Sequence, residues 1–216
     1  MDFYEYATDM IDESLSYREE NEKVVIENGH IPYLDKSPFS LFKTRTPWLM
    51  LLMVTSTFTG IIISVFENAL AAKVVLTIFI PMLMGTGGNC GSQSSVTVIR
   101  ALSLGEIKLN DSLKVLFKEL CVSIFCGLFL ALFEFAKILT LDRALFGNDV
   151  TVAVAITVSL TLLATIVFAK ITGALLPLAA SRFRLDPAVM ASPFITTLVD
   201  TAALFIYFSI ANTLLL

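Results

Sequence analysis

The sequence predicts an all-α, polytopic membrane protein whose chain crosses a bilayer five times. The chain has 216 residues, of which 56% are hydrophobic and 16% are charged, and its mean hydropathy is +0.80. This composition overfills the interior of a soluble domain. A helix needs about 20 mainly apolar residues to span a bilayer. Five segments meet that length: residues 47–66, 74–99, 113–136, 150–180 and 188–214.

The charges predict two parts, an acidic cytoplasmic tail with a linker over residues 1–42 and a transmembrane domain over residues 43–216. Residues 1–35 hold ten of the 19 acidic residues and two basic ones. Apolar side chains at near-helical spacing over residues 2–28 predict an amphipathic helix. Its acidic face is interpreted as a solvated surface, with cation sensing as the alternative.

The basic residues near the ends of the spans predict the orientation. Nine of them fall on the side of the amino terminus and three on the opposite side. Because short cytoplasmic segments collect Lys and Arg, we expect the amino terminus in the cytoplasm and the carboxyl terminus outside. The protein is thus expected to be a multi-pass protein of the cytoplasmic membrane.

The chain carries no motif that is typical of an enzyme. Cys90, Cys121 and Cys126 fall within predicted spans and have no metal-binding spacing. His30 stands alone in the tail, and no catalytic triad, P-loop or dinucleotide fingerprint is present. We therefore expect no enzymatic activity, no organic cofactor and no nucleic-acid partner.

The second span contains an unusual polar stretch, LMGTGGNCGSQ, at residues 83–93. Its glycines permit close helix packing, or they mark a helix opened after Pro81 whose carbonyls face a watery cavity. Packing explains the glycines but not Asn89 and Gln93, which lie one helical turn apart. We therefore favour a cavity lined by these two amides. The glycines are Gly85, Gly87, Gly88 and Gly91.

The fifth span places the carboxylate of Asp200 about halfway across the membrane. Ser192 and Thr196 precede it at four-residue spacing and share its helical face. Asp186, followed by Pro187, is either the N-cap of this helix or a functional carboxylate. An ionised carboxylate at the depth of Asp200 needs a compensating charge. An ion pair with Lys170 of the fourth span is the structural alternative, and a passing cation is the interpretation we favour.

The oxygen-rich lining indicates which cation would pass. Carboxylate, amide, hydroxyl and carbonyl oxygens suit Mg²⁺, Ca²⁺ or Mn²⁺ rather than copper or zinc. A small number of carboxylates favours Mg²⁺, which keeps much of its water shell. Glu119, early in the third span, either recruits cations at the inner mouth or caps the first helical turn. Because five helices are few for a pore, we expect a homodimer with two Asp200 carboxylates at a shared axis.

Three segments resemble the MgtE family of magnesium channels and transporters. They are PMLMGTGGNCGSQSSVTVIRALSLGEI (81–107), FKEL (117–120) and DPAVMASPFITTLVD (186–200). The resemblance covers residues 43–216 in the same order, with five spans. It implies a homodimer in the lipid bilayer with a central pore that conducts hydrated Mg²⁺, and it leaves Mn²⁺, Co²⁺ and Ca²⁺ open as further ions.

The same resemblance implies roles for individual residues. Asp200 would form the central ion site, and the carbonyls of Gly85 and Gly88 would contact the water shell of the ion. Glu119 would lie at the cytoplasmic mouth. Ser192 occupies a pore-facing position that is Asn in some members of the family.

The chain departs from typical family members at its amino terminus. Those members carry a large cytoplasmic region with paired CBS domains that sense Mg²⁺ and close the pore. About 40 residues precede the first span here, so CBS gating is not carried over. Because Met1 and the acidic tail resemble a natural start, we expect the short form to be natural.

The leading functional expectation is a Mg²⁺ channel or transporter working down the electrochemical gradient. A Na⁺- or H⁺-coupled divalent cation exchanger is the first alternative. A non-conducting membrane scaffold, in which the glycines only pack helices, is the second.

Overall fold

The computed structural model describes residues 33–147, 149–183 and 187–215, and of residues 187–193 the backbone alone. Within these residues 91% are helical and none forms a strand. The expected tail helix over residues 2–28 and the expected ligand Asp186 lie outside the described residues, as does the side chain of Ser192.

Five helical stretches of the described chain are long and apolar enough to cross a membrane, which confirms the predicted fold class. The first contains α1 (Pro38–Thr55) and α2 (Thr57–Val65). The second joins a 3₁₀ helix (Val74–Phe79) to α3 (Ile80–Ser103). The third is α4 (Ser112–Lys137), the fourth α5 (Val152–Arg182) and the fifth α6 (Pro187–Leu214). Short helices occupy Tyr33–Asp35, Glu67–Ala72, Leu109–Asp111 and Arg143–Phe146.

Local capping sets several of the helix boundaries. The first span begins at Pro38, nine residues before the predicted start, because proline suits the first helical position and the hydroxyl of Ser37 accepts the N–H of Ser40 at 3.2 Å. The hydroxyl of Thr151 accepts the N–H of Val154 at 3.3 Å and begins α5. These caps satisfy backbone donors that the helix itself leaves unpaired.

The chain divides within α1 into two compact units, Met1–Leu51 and Leu52–Leu216. In the described part of the first unit, the rings of Phe39 and Phe42 stack with centroids 6.0 Å apart, and the ammonium of Lys43 lies 5.6 Å from the centre of the Phe39 ring. All the candidate site residues described below belong to the second unit.

Helix α5 is the central element of the second unit. It packs against α3, α4 and α6, and α3 also packs against α6. Because α5 is apolar around most of its circumference, it buries residues on several sides, as expected for a helix surrounded by others. This arrangement brings polar side chains of α3, α4 and α5 into one interior.

The end of the unit where α6 finishes is held by aromatic packing. The hydroxyl of Tyr207 donates a hydrogen bond of 3.0 Å to the carbonyl of Leu76, and both residues are fully buried. The rings of Phe66 and Phe208 stack with centroids 5.2 Å apart. The first contact fixes α6 against the 3₁₀ helix that precedes α3, and the second fixes it against the residue that follows α2.

A buried ionic network lies where α4 passes into a π-helical turn (Ile138–Asp142). The ammonium of Lys137 lies 2.9 Å from a carboxylate oxygen of Glu134 and 3.2 Å from one of Asp142. The wider π turn places Asp142 beside Lys137. Both carboxylates are buried, so the lysine compensates charges that would otherwise be costly in a membrane.

Candidate functional site

The glycine-rich stretch lies in an unbroken α-helix. Helix α3 runs continuously from Ile80 to Ser103, and Pro81 occupies its first turn. The expectation of a helix opened after Pro81 is therefore wrong for this structure, because a proline in the first turn removes no intrahelical hydrogen bond. The polar lining must come from one face of an intact helix.

One face of α3, the packing face, consists of Gly87, Gly88 and Gly91 and is buried. A Cβ on Gly87 would lie 2.7 Å from Thr165 of α5 and 2.8 Å from Val199 of α6. A Cβ on Gly91 would lie 2.7 Å from Ile195 and 3.1 Å from the carbonyl oxygen of Ala169. These glycines let three helix backbones approach closely, as the packing interpretation expected.

The opposite face, the polar face, consists of Gly85, Asn89, Gln93 and Thr97 and is mostly exposed. Its last three residues, with Ser92 and Val96, line a groove of about 660 Å³. No atom lies within 4 Å of the position of a Cβ on Gly85. The predicted alignment of Asn89 and Gln93 on one face is therefore present, and both side chains line an open groove on the surface of the chain.

Asp200 reaches α3 at Gly88. A Cβ on Gly88 would lie 3.9 Å from a carboxylate oxygen of Asp200 and 3.2 Å from a methyl carbon of Thr196. Asp200 is half-buried. The small size of Gly88 thus brings this carboxylate and Thr196 against the polar stretch, and the structure joins residues that the sequence had placed in separate spans.

The alternative ion pair between Lys170 and Asp200 is absent. Among the ion pairs of the described residues, none includes either of these two side chains. The ammonium of Lys170 instead lies 3.5 Å from the hydroxyl of Ser94. Asp200 therefore has no basic side chain within ion-pair distance in the described part of the chain.

Glu119 of α4 is hydrogen-bonded to a buried side chain of α3. The hydroxyl of Ser94 donates a hydrogen bond of 2.6 Å to one carboxylate oxygen of Glu119. Sequence reasoning missed Ser94, although this polar residue directly follows the polar stretch of residues 83–93. The described residues contain no cluster of three His, Cys, Asp or Glu side chains.

The sequence itself matches the family described as MgtE, a divalent cation transporter, over residues 80–210. That range includes the polar face, Glu119 and Asp200. The chain belongs to the MgtE family. The resemblance of the three quoted segments is thereby confirmed.

Curated MgtE relatives are similar along most of this chain. The magnesium transporter MgtE of Thermus thermophilus is 35% identical over 183 residues, which are 85% of this chain and 39% of the relative. The protein of the same name from Bacillus subtilis is 33% identical over 205 residues, 94% of this chain and 44% of the relative. That from Enterococcus faecalis is 27% identical over 188 residues, 83% of this chain and 38% of the relative. The chain spans about two fifths of the length of these relatives.

Membership in the MgtE family agrees with two coarser expectations. The family is described as a divalent cation transporter, and five helices of the described residues are long and apolar enough to cross a membrane, which supports a multi-pass membrane protein.

Proposed function

We propose that this protein moves Mg²⁺ across the cytoplasmic membrane, down its electrochemical gradient, along a pathway lined by the polar face of α3 and the carboxylate of Asp200. The observation that carries the proposal is the position of Asp200. Its carboxylate would lie 3.9 Å from a Cβ on Gly88, the residue before the groove-lining Asn89, and no basic side chain of the described residues lies within 4 Å of it. An uncompensated carboxylate in a membrane is costly, and a cation that occupies the groove offsets this cost.

The groove is large enough for a hydrated ion. Six waters around Mg²⁺, at about 30 Å³ each, occupy about 180 Å³, well below the groove volume of about 660 Å³. The amides of Asn89 and Gln93 supply oxygens and N–H donors suited to water. We assign these residues and Thr196 to the lining, and we assign Asp200 to the ion itself. The curated relatives are named magnesium transporters, which favours Mg²⁺ among the hard divalent ions.

The pathway is completed by a second copy of the chain. The polar face is open on one side, and a two-fold axis along it would place two Asp200 carboxylates around one ion. Their joint negative charge balances the positive charge of one Mg²⁺. The carbonyls of Gly85 and Gly88 would contact the water shell. In this homodimer we propose Ser192 as a lining residue and Asp186 as a ligand of the ion.

The driving force follows from the orientation that the basic residues predict. With the amino terminus inside, an inside-negative membrane potential draws a divalent ion inward with about 4.6 kcal/mol per 100 mV. Glu119 lies about 10 Å along α4 from Ser112, at about 1.5 Å per residue, and would meet the ion at the cytoplasmic mouth through its second carboxylate oxygen.

The test is Mg²⁺ uptake by purified protein in liposomes, with a Mg²⁺-sensitive dye inside. We expect Asp200→Asn to lower the initial rate at least about tenfold, because the amide keeps the size of the side chain but removes its charge. Asp149→Asn is the control, since Asp149 is an exposed carboxylate in a turn. Dimer formation is followed by size-exclusion chromatography with light scattering.

Other outcomes would favour the alternatives. Slow uptake that requires a Na⁺ or pH gradient, in place of ohmic currents in bilayer recordings, would indicate a coupled exchanger. Equal uptake by wild type and Asp200→Asn would contradict the role of Asp200. No uptake by the wild type would favour a scaffold, an interpretation that the packing glycines of α3 support on their own.

A further inference from the structure

A second charged arrangement lies inside the second unit, apart from Asp200. Lys170 of α5 is 6% exposed and Ser94 of α3 is 2% exposed. The ammonium of Lys170 lies 3.5 Å from the Ser94 hydroxyl, which donates at 2.6 Å to a carboxylate oxygen of Glu119. The three side chains come from three helices.

The order of these contacts is chemically directional. The ammonium of Lys170 can only donate, and the Ser94 hydroxyl accepts from it while giving its own hydrogen to the carboxylate. The Ser94 hydroxyl thus connects the ammonium of Lys170 to the carboxylate of Glu119 through two hydrogen bonds. A buried ammonium is costly without a counter-charge. No carboxylate of the described residues lies within 4 Å of Lys170. Ser94 therefore links Lys170 to its counter-charge, Glu119.

All three residues lie near one level of the helix bundle. Ser94 is nine residues from the end of α3, Glu119 is seven from the start of α4, and Lys170 is twelve from the end of α5. At about 1.5 Å per residue these separations are about 10–18 Å. Lys170 is therefore near the level of Glu119, the carboxylate that we assign to the mouth of the pathway.

We propose that Lys170 is a positioning residue that, through Ser94, fixes Glu119 and offsets its charge, and so sets how tightly this end of the pathway holds Mg²⁺. This inference rests on the proposed function. Among the residues that the structure describes, each chain then contributes two carboxylates, Asp200 and Glu119, and one lysine, a net charge of −1. Two copies contribute −2, which balances one Mg²⁺. Without Lys170 they would contribute −4 and would retain the ion.

The first test measures the coupling without any transport assay. Lys170→Met leaves the half-buried carboxylate of Glu119 without its partner, and Glu119→Gln does the same to the buried ammonium of Lys170, so each lowers the melting temperature of the purified chain by about 10 °C. The double variant removes both charges, and its melting temperature lies within about 3 °C of the wild type. If the melting temperature of the double variant falls by the sum of the two single decreases, the link is overturned. Lys114→Met, which breaks only an exposed pair with Asp111, is the control and shifts melting by no more than about 3 °C.

The second test measures Mg²⁺ uptake at a series of Mg²⁺ concentrations. Lys170→Met lowers the half-saturating concentration about fivefold and also lowers the maximal rate, since the ion is bound more tightly and released more slowly. In a chain that already carries Glu119→Gln, adding Lys170→Met changes the half-saturating concentration by no more than about twofold, because the carboxylate through which Lys170 acts is gone. A purely structural lysine would change the amount of active protein and leave the half-saturating concentration of Lys170→Met alone unchanged, which would overturn the proposal.

The two tests separate this inference from the proposed function. Wild-type protein that carries no Mg²⁺ would overturn the proposed function and the transport role of Lys170. Recovery of melting in the double variant would still support the link through Ser94.

Discussion

The packing face and the polar face of α3 use the same residue type for different purposes. On the packing face, Gly87 and Gly91 stand where a Cβ would overlap α5 and α6. On the polar face, Gly85 stands where a Cβ would meet nothing. The comparison teaches that a glycine-rich membrane segment can hold helices together on one side and leave room for an ion on the other.

The largest effect is expected where the packing face meets α5. In Gly173→Ala the new methyl group would meet the backbone of Gly91, including its carbonyl oxygen, and backbone atoms cannot turn aside as a side chain can. We expect a loss of about 3 kcal/mol in the free energy of unfolding, which lowers the melting temperature by about 6–12 °C. Gly60→Ala is the matched control, because no atom lies within 4 Å of that Cβ position. Equal melting of the two variants would contradict the packing role.

A smaller effect is expected at Gly88, which lies between the two roles. In Gly88→Ala the methyl group would lie 3.2 Å from Thr196 and 3.9 Å from Asp200, so α6 must shift by a few tenths of an ångström. We expect a loss of about 1 kcal/mol together with a several-fold slower Mg²⁺ uptake, since the shift displaces the carboxylate. Melting curves and liposome uptake check the two parts separately. Unchanged uptake would show that the place of Asp200 beside Gly88 is unimportant for transport.

The smallest effect on folding is expected on the polar face. Gly85→Ala should stabilise the helix by about 0.4–1 kcal/mol, because alanine loses less backbone freedom on folding. It should nevertheless slow Mg²⁺ uptake, since the methyl group would enter the space assigned to the water shell of the ion. Gly60→Ala should give a similar stabilisation with unchanged uptake. Faster or equal uptake by Gly85→Ala would remove Gly85 from the pathway.

Much of the site could be predicted from the sequence. The spacing of Asn89 and Gln93 places them on one face of any helix, and the depth of Asp200 follows from its distance to the start of α6. The sequence could not show that α3 is unbroken at Pro81, because that depends on where the helix begins. It also left the partner of Lys170 open, since periodicity assigns a face to a residue but not the neighbour that the face meets.

The sequence by itself determined the five spans, the family and the positions of the polar residues along each helix, because hydropathy and helical period are local properties of the chain. Only the tertiary structure decided which glycines are covered and which are open. It also decided that Asp200 meets Gly88 and that Lys170 meets Ser94. The physical reason is that these outcomes depend on how helices distant in sequence pack around α5, and packing at contact distance is a property of pairs of helices rather than of any one segment.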